Sequence, residues 1–324
     1  MDLTQALLKL PVHFSPEALA NEVHALPQSA WEPHPTGFVG NDAVRLVSPG
    51  GEPTDALRGT MAATEHLLRS PYIMEVMGWL GGTWGRSRLM GLGVGAEVPP
   101  HVDCHYYWRT HLRIHIPVIT NPGVEFTCGD ETVHMKPGEC WVFDSFRRHE
   151  VHNRGTEKRV HLVLDTVGSA RLWDLVDAAQ AGDSQAVEVN PGIGQQPLSF
   201  ETLNAPKVMS PWEMQVHLEF IGSQLGAAGS DAAPVMRRMS KFVTEWTALW
   251  VQFETRDDGL PSYRALVASV QQDLATLRGE GIRLTNNTPL YFALQQLIFL
   301  NAIERPPAHQ LRAATHQSAA RNVA

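Results

Sequence analysis

A chain of 324 residues with 43% hydrophobic and 19% charged content can bury a full core, in one large domain or two. Its formal net charge of −8 speaks against a nucleic-acid or anionic-membrane partner, and no run of about 18 apolar residues offers a transmembrane helix. The N-terminus lacks a basic stretch ahead of an apolar core. Cys104, Cys128 and Cys140 form no Cys-x-x-Cys. Reduced thiols in a cytoplasmic protein are therefore expected.

Residues 1–40 alternate short helical and irregular text. Ser15-Pro16-Glu17, followed by Leu19, Val23 and Leu26, predicts a capped helix that Pro27, Pro33 and Pro35 then break. Asp42–Val47 reads as a strand stopped at Pro49-Gly50-Gly51. Helical spacing over 54–79, through Leu57, Met61, Leu67 and Leu68 and interrupted at Pro71, predicts a helix on the back of the following sheet. From Gly85 to Gly168 the text is all-β. Strands are expected over Arg86–Val94, His111–Ile119, Val124–Cys128, Glu131–Met135, Cys140–Phe143 and Arg159–Thr166. Pro99-Pro100 leads into another at His101, and Gly129-Asp130 marks a hairpin turn. Seven or eight short strands with regular turns indicate a sandwich or barrel.

After Gly168 the period becomes helical. Ser169–Ala181 reads as a helix, and Ser210-Pro211-Trp212-Glu213 is a capping box with proline at the first helical position. Val235, Met239, Phe242, Trp246, Leu249 and Phe253 mark a long amphipathic helix. Tyr263–Leu277 and Pro289–Ile303 are two more, and the polar tail after Pro306-Pro307 is expected to fray. The expected class is α+β, with N-terminal helices and a jelly-roll domain over 1–168 and a helical domain over 169–324. The apolar surface of these helices predicts that they pack on the barrel and on a second copy of the chain, as a homodimer.

Eight of the 15 histidines lie between positions 101 and 161. His101-Val102-Asp103 is the sharpest of the patterns there, because residues i and i+2 of a strand point the same way. His149, after the strand-like Glu139–Phe143 and a turn, is the best third ligand. His152 has the opposite parity and His161 falls beyond Arg159, so both read as core or supporting histidines. Two imidazoles and one carboxylate, with other positions open, suit an Fe(II) oxygenase. The open positions accept a bidentate co-substrate and then O2. Ligands near one mouth of the barrel make a double-stranded β-helix (jelly roll, cupin-like) the natural reading. Arg159 lies among apolar strand residues, where an unpaired guanidinium is costly and a bound carboxylate relieves the cost. Arg113 either meets a substrate carboxylate or pairs with Glu125 or Asp144. Tyr106, Tyr107 and Trp108 read as an exposed substrate rim or a cover for the barrel, and Cys104 as a bystander.

Residues 84–168 resemble the aspartyl/asparaginyl β-hydroxylase family of Fe(II)/2-oxoglutarate oxygenases. The resemblance is carried by Glu97-Val-Pro-Pro-His101-Val-Asp103, Leu112-Arg113-Ile-His115, Pro137-Gly-Glu-Cys-Trp-Val-Phe-Asp144-Ser-Phe-Arg-Arg-His149 and Arg159-Val-His-Leu-Val-Leu-Asp165. It implies that Arg159 binds the far carboxylate of 2-oxoglutarate, and that Arg113 and His115 line the co-substrate and substrate pocket. The best-known animal members lack the triad carboxylate supplied here by Asp103, and place a serine where this chain has Met90. The implied activity is hydroxylation of an unactivated C–H by Fe(II), 2-oxoglutarate and O2, yielding succinate and CO2. The implied substrate is amino-acid-like, a peptidyl Asp/Asn or an acyl chain, and the first of these suits Arg113 best. The rival class is a cupin-type isomerase or sensor that makes no use of 2-oxoglutarate.

Overall fold

The computed structural model describes residues 3–303 other than 36, 184, 195, 205, 206 and 278. The tail after Pro307 lies outside them. Two compact units divide the described residues: one takes 3–103 and 110–204, the other 104–109 and the described part of 205–306.

In chain order the first unit begins β1 (Leu7–Phe14), α1 (Pro16–Ala25), β2 (Glu32–Pro33), β3 (Asn41–Pro49), β4 (Met61–Ala63), α2 (Glu65–Leu68), α3 (Pro71–Leu80), β5 (Thr83–Leu92) and β6 (Glu97–His101). After the short α4 (Tyr106–Thr110) come β7 (Leu112–Ile119), β8 (Val124–Cys128), β9 (Glu131–Val133), β10 (Glu139–Phe143), β11 (His149–Asn153) and β12 (Arg159–Thr166). It closes with α5 (Ala170–Gln180), β13 (Val187–Val189) and β14 (Ser199–Phe200). The large sheet has the order β13-β1-β10-β7-β12-β5-β3-β2, with β14 on β5 and β4 on β3. The small sheet runs β6-β11-β8-β9. Two such sheets enclosing one interior form the expected double-stranded β-helix.

Period-2 alternation loads the two faces of the large sheet differently. Leu112, Ile114, Ile116 and Val118 of β7, Val160, Leu162 and Leu164 of β12, and Cys140 and Val142 of β10 share one core. That core is covered by Leu19 and Val23 of α1, Ile73, Val76, Met77 and Leu80 of α3, and Leu172 and Val176 of α5. The opposite parity faces the small sheet, where Leu7, Leu92 and Phe143 meet Phe126, Cys128 and Val151. Arg113 and His115 on β7, and Arg159, His161 and Asp165 on β12, have this second parity. All eight residues of β12 are consequently buried.

Local chemistry explains most boundaries. Ser15 caps α1 by accepting from the Ala18 amide at 3.3 Å, with Pro16 at the first helical position. Ser169 caps α5 by accepting from Leu172 at 3.1 Å. Gly129 takes a φ of 60° in the β8–β9 turn, which favours glycine there.

Three expectations change. Residues 1–14, read as helical and irregular, contain β1. This strand alternates, with Leu8, Leu10, Val12 and Phe14 buried on one face and Lys9 exposed on the other, but Pro11 interrupts its strand signal. Its pairing with β10 shifts between Leu10 and His13, a place where Pro11 has no N–H to contribute. The helix expected over 54–79 is instead a loop, β4 and two short helices. Ala63 pairs with Val47 across β3, and Thr64 starts α2 by accepting from Leu67 at 3.4 Å. The first unit also continues past the 168/169 boundary read from the sequence, because β13 extends the sheet beside β1 and β14 pairs with β5.

The second unit contains α6 (Pro211–Ser223), α7 (Gly229–Phe253), α8 (Leu260–Thr276) and α9 (Leu290–Leu297). Trp246 is fully buried against Phe242 and Tyr263, with ring centroids 5.4 and 4.5 Å away, and donates its indole N–H to the Met209 carbonyl at 2.8 Å. Among the described residues no helix is long and apolar enough to cross a membrane.

Leu162 sits fully buried on the central strand β12, so Leu162→Ala should lower stability by about 2–5 kcal/mol, read as a shifted urea midpoint at unchanged slope.

Candidate metal centre

His101 ends β6 and His149 begins β11, and the two are direct partners in the small sheet. Their rings lie 4.1 Å apart between centroids. Asp103 falls just beyond the strand, where its amide donates to the Ser145 carbonyl at 3.0 Å. One Asp103 oxygen is 3.9 Å from His101 Nε2, and the other is 3.9 Å from His149 Nε2. The three ligand atoms lie within 4.8 Å of one another, so the residues expected to hold a metal come together.

The backbone sets the imidazole tautomers. His101 Nδ1 is 2.9 Å from the Pro99 carbonyl and His149 Nδ1 is 2.9 Å from the Arg147 carbonyl. A carbonyl only accepts, so both Nδ1 atoms carry the proton and both Nε2 lone pairs face the cluster. Burial first, then the neighbouring His101, pushes the His149 pKa down to about 3. Burial acts to raise Asp103, but Arg113 and the two imidazoles outweigh it and the carboxyl stays ionised below its ordinary range. Neutral nitrogens and an ionised oxygen suit a divalent transition metal, and iron fits this donor set.

Arg159 is 4% exposed, and it forms no ion pair among the described residues. Its Nε is buried without a hydrogen-bond partner, and burial lowers the guanidinium to about 9. His115 and His161 approach through their Nδ1 atoms at 3.5 Å, and the Nε2 of each is likewise buried and unpartnered. Burial, followed by the charge of Arg159, holds both imidazoles well below their ordinary pKa. One buried cation beside two neutral polar rings fits an elongated anionic ligand such as 2-oxoglutarate, with a carboxylate at the fork.

Other expectations resolve differently. Arg113 pairs with neither Glu125 nor Asp144. Its Nε donates to Asp165 at 3.0 Å and a terminal nitrogen donates to Asp103 at 2.9 Å. Glu125 is taken by Arg154, and Asp144 by Arg147 at 3.3 Å. Tyr106 and Tyr107 are no exposed rim, because α4 buries both rings. Tyr106 donates to Glu213 and packs against His217 within the second unit. His152 turns to Glu97 and Glu150, away from the cluster. Met90 stands opposite His161 across the β5–β12 ladder. Sequence reasoning assigned no role to Asp165, Arg86 or Arg88, all buried; their signal is a charge at alternate positions within otherwise apolar strands.

Residues 43–168 match the family model described as Aspartyl/Asparaginyl beta-hydroxylase. Over that span the chain is similar to the family that the resemblance implied. The chain is similar to the L-proline cis-4-hydroxylase of Rhizobium meliloti (strain 1021), at 30% identity over 84 residues, which span 26% of this chain and 30% of that protein. Among solved structures it resembles a 2OG-Fe(II) oxygenase-family oxidoreductase from Burkholderia pseudomallei, with 17% identity, a TM-score of 0.37, and coverage of 51% of this chain and 87% of that one. It also resembles a prolyl hydroxylase from Trichoplax adhaerens, solved with a hypoxia inducible factor peptide fragment, with 14% identity, a TM-score of 0.36, and coverage of 52% and 87%.

Anaerobic titration with Fe(II), or with Co(II) as a coloured stand-in, should saturate at one ion per chain. His101→Ala, Asp103→Ala and His149→Ala should each abolish that binding, while His152→Ala keeps it; calorimetry or absorbance reads the result.

Proposed function

We propose that the chain is an Fe(II)/2-oxoglutarate-dependent hydroxylase that acts on an unactivated C–H of an amino-acid-like substrate. The observation that carries this reading is Arg159, a buried guanidinium without a carboxylate partner among the described residues, in the same inter-sheet interior as the His-Asp-His cluster. An unpaired buried charge is costly to retain, and a ligand carboxylate removes the cost. His101, Asp103 and His149 would hold the iron, and Arg159 the far carboxylate of 2-oxoglutarate. Together with O2, these groups supply oxidative decarboxylation to succinate and CO2 coupled to hydroxylation of the substrate. The chain's own part is binding, orientation and exclusion of water. Neutral His115 and His161 offer hydrogen bonds along the ligand without adding charge, and Phe126 and Phe143 pack against His149 to keep its surroundings dry.

An amino-acid-like substrate is supported by the name of the Rhizobium relative; a peptidyl Asp or Asn is the finer alternative that the family offers. A screen of free amino acids and Asp/Asn peptides, scored by succinate release, decides between them. Three buried free cysteines support a reducing, cytoplasmic setting. The helical unit leaves Trp212 71% and Val251 82% exposed, which supports self-association through its helices. Light scattering at micromolar concentration should give a dimer, and a strict monomer would remove that part.

Anaerobic Fe(II) protein titrated with 2-oxoglutarate should develop the charge-transfer band of the chelate; if metal binds and no band appears, a cupin-type metal module is the better reading. Arg159→Ala should bind Fe(II) normally but need roughly 30- to 1000-fold more 2-oxoglutarate, the equivalent of about 2–4 kcal/mol for a lost charge-assisted pair.

A further inference from the structure

Asp165 has no role in the reading above, yet it is among the most deeply buried carboxylates in the chain, at 1% exposure. It stands opposite Arg113 in the β12–β7 ladder and accepts from Arg113 Nε through Oδ1 at 3.0 Å. Its Oδ2 lies 3.9 Å from Arg86 Nε. The same Arg113 guanidinium reaches Asp103 Oδ2 at 2.9 Å. Two carboxylates, one of them a metal ligand, are thus joined through one planar fork.

We propose that Asp165 is a positioning residue for the metal site: it fixes Arg113, and Arg113 holds one oxygen of Asp103 so that this ligand offers the metal a single oxygen. The proposal rests on the metal reading given above. It reassigns Arg113 from a contact of the co-substrate pocket to the group that sets the ligand's denticity.

The physical case has three parts. A carboxylate can bind a metal with one oxygen or both. Oδ2 lies 3.9 Å from His149 Nε2 but accepts from Arg113, so Oδ1, 3.9 Å from His101 Nε2, is the oxygen left to the metal. Binding through both oxygens would occupy a position that a bidentate co-substrate needs. Next, a guanidinium has donors on two edges in one rigid plane, so Nε and a terminal nitrogen can address two carboxylates at once; an ammonium has no such fork. Last, Asp165 is the fixed end of the arrangement. It lies on a strand hydrogen-bonded on both sides, whereas Asp103 lies past the end of β6. Strand β12 therefore lends its rigidity to a ligand on a loop. Outer partners of this kind typically change metal affinity 10- to 100-fold when removed.

The test uses the full chain stripped of metal, titrated anaerobically with Fe(II) and separately with Co(II), without co-substrate. Asp165→Asn keeps the shape and removes the charge that anchors Arg113. It should weaken metal affinity about 10- to 100-fold. It should also alter the Co(II) ligand-field absorption as Asp103 gains freedom to bind through both oxygens. Arg113→Lys should do the same, and serves alone if circular dichroism shows that Asp165→Asn does not fold. Unchanged affinity and spectrum in the folded variant would overturn the proposal. So would a variant with normal metal binding and a raised 2-oxoglutarate requirement, which would return Arg113 to the co-substrate. If the unaltered protein binds no metal, the metal reading itself fails, and that result is distinct from either.

Discussion

Everything at this site follows from placing charge where water is scarce. The inter-sheet face of β5, β7 and β12 carries Arg86, Arg88, Arg113, Arg159 and Asp165, all within a double-layered β architecture. A buried ion left without a counter-charge costs several kcal/mol, so the arrangement persists only if each charge finds its complement. Arg113 finds two carboxylates and Arg88 finds His34 at 2.9 Å with Asp55 at 3.7 Å. Arg159 finds no such partner among the described residues. A bound anion would complete the electrostatics of this interior.

The same alternation that stabilises the fold makes this arrangement attainable. On β12, Val160, Leu162 and Leu164 pack under the helices while Arg159, His161 and Asp165 turn to the other face. Neither set can slip by one residue without exchanging apolar for charged groups, so the register is held by both interiors at once. A site built on a central strand inherits that precision. The candidate metal-binding histidines on the small sheet are held differently, by carbonyls two residues back in their own chain, which fix the orientation of each imidazole.

Much of this was legible in the residues. His101-Val-Asp103, His149 and Arg159 could be grouped because strand parity and metal chemistry select the same positions, and the caps at Ser15 and Ser210 marked their helices. What escaped has physical reasons. Strand β1 alternates from Leu8 to Phe14, but Pro11 in its middle reads locally as a strand breaker. Leu57 and Met61 fall at helical spacing, but Met61–Ala63 is claimed by β3 through cross-strand bonding, a tertiary term absent from local pattern. The partners of Arg113 were misjudged because its true neighbours, Asp103 and Asp165, come from a loop and a strand 10 and 52 residues away. Tyr106 and Tyr107 were read as exposed because a loop between two site strands lies at the surface by default; here the segment folds as a helical turn grouped with the second unit.

The ends of the large sheet have a consequence for the chain's behaviour at high concentration. One border strand is the three-residue Val187–Val189, and the other is the two-residue Glu32-Pro33, of which one residue lacks an N–H and the other carries a charge. Long, flat, unpaired borders template sheet-to-sheet growth, whereas short, charged or proline-bearing ones deny an incoming strand a ladder to extend. An eight-strand path that keeps its longest members, β1, β3, β5, β7 and β12, away from both borders is thus protected against fibrous growth by topology, without help from any surface mutation.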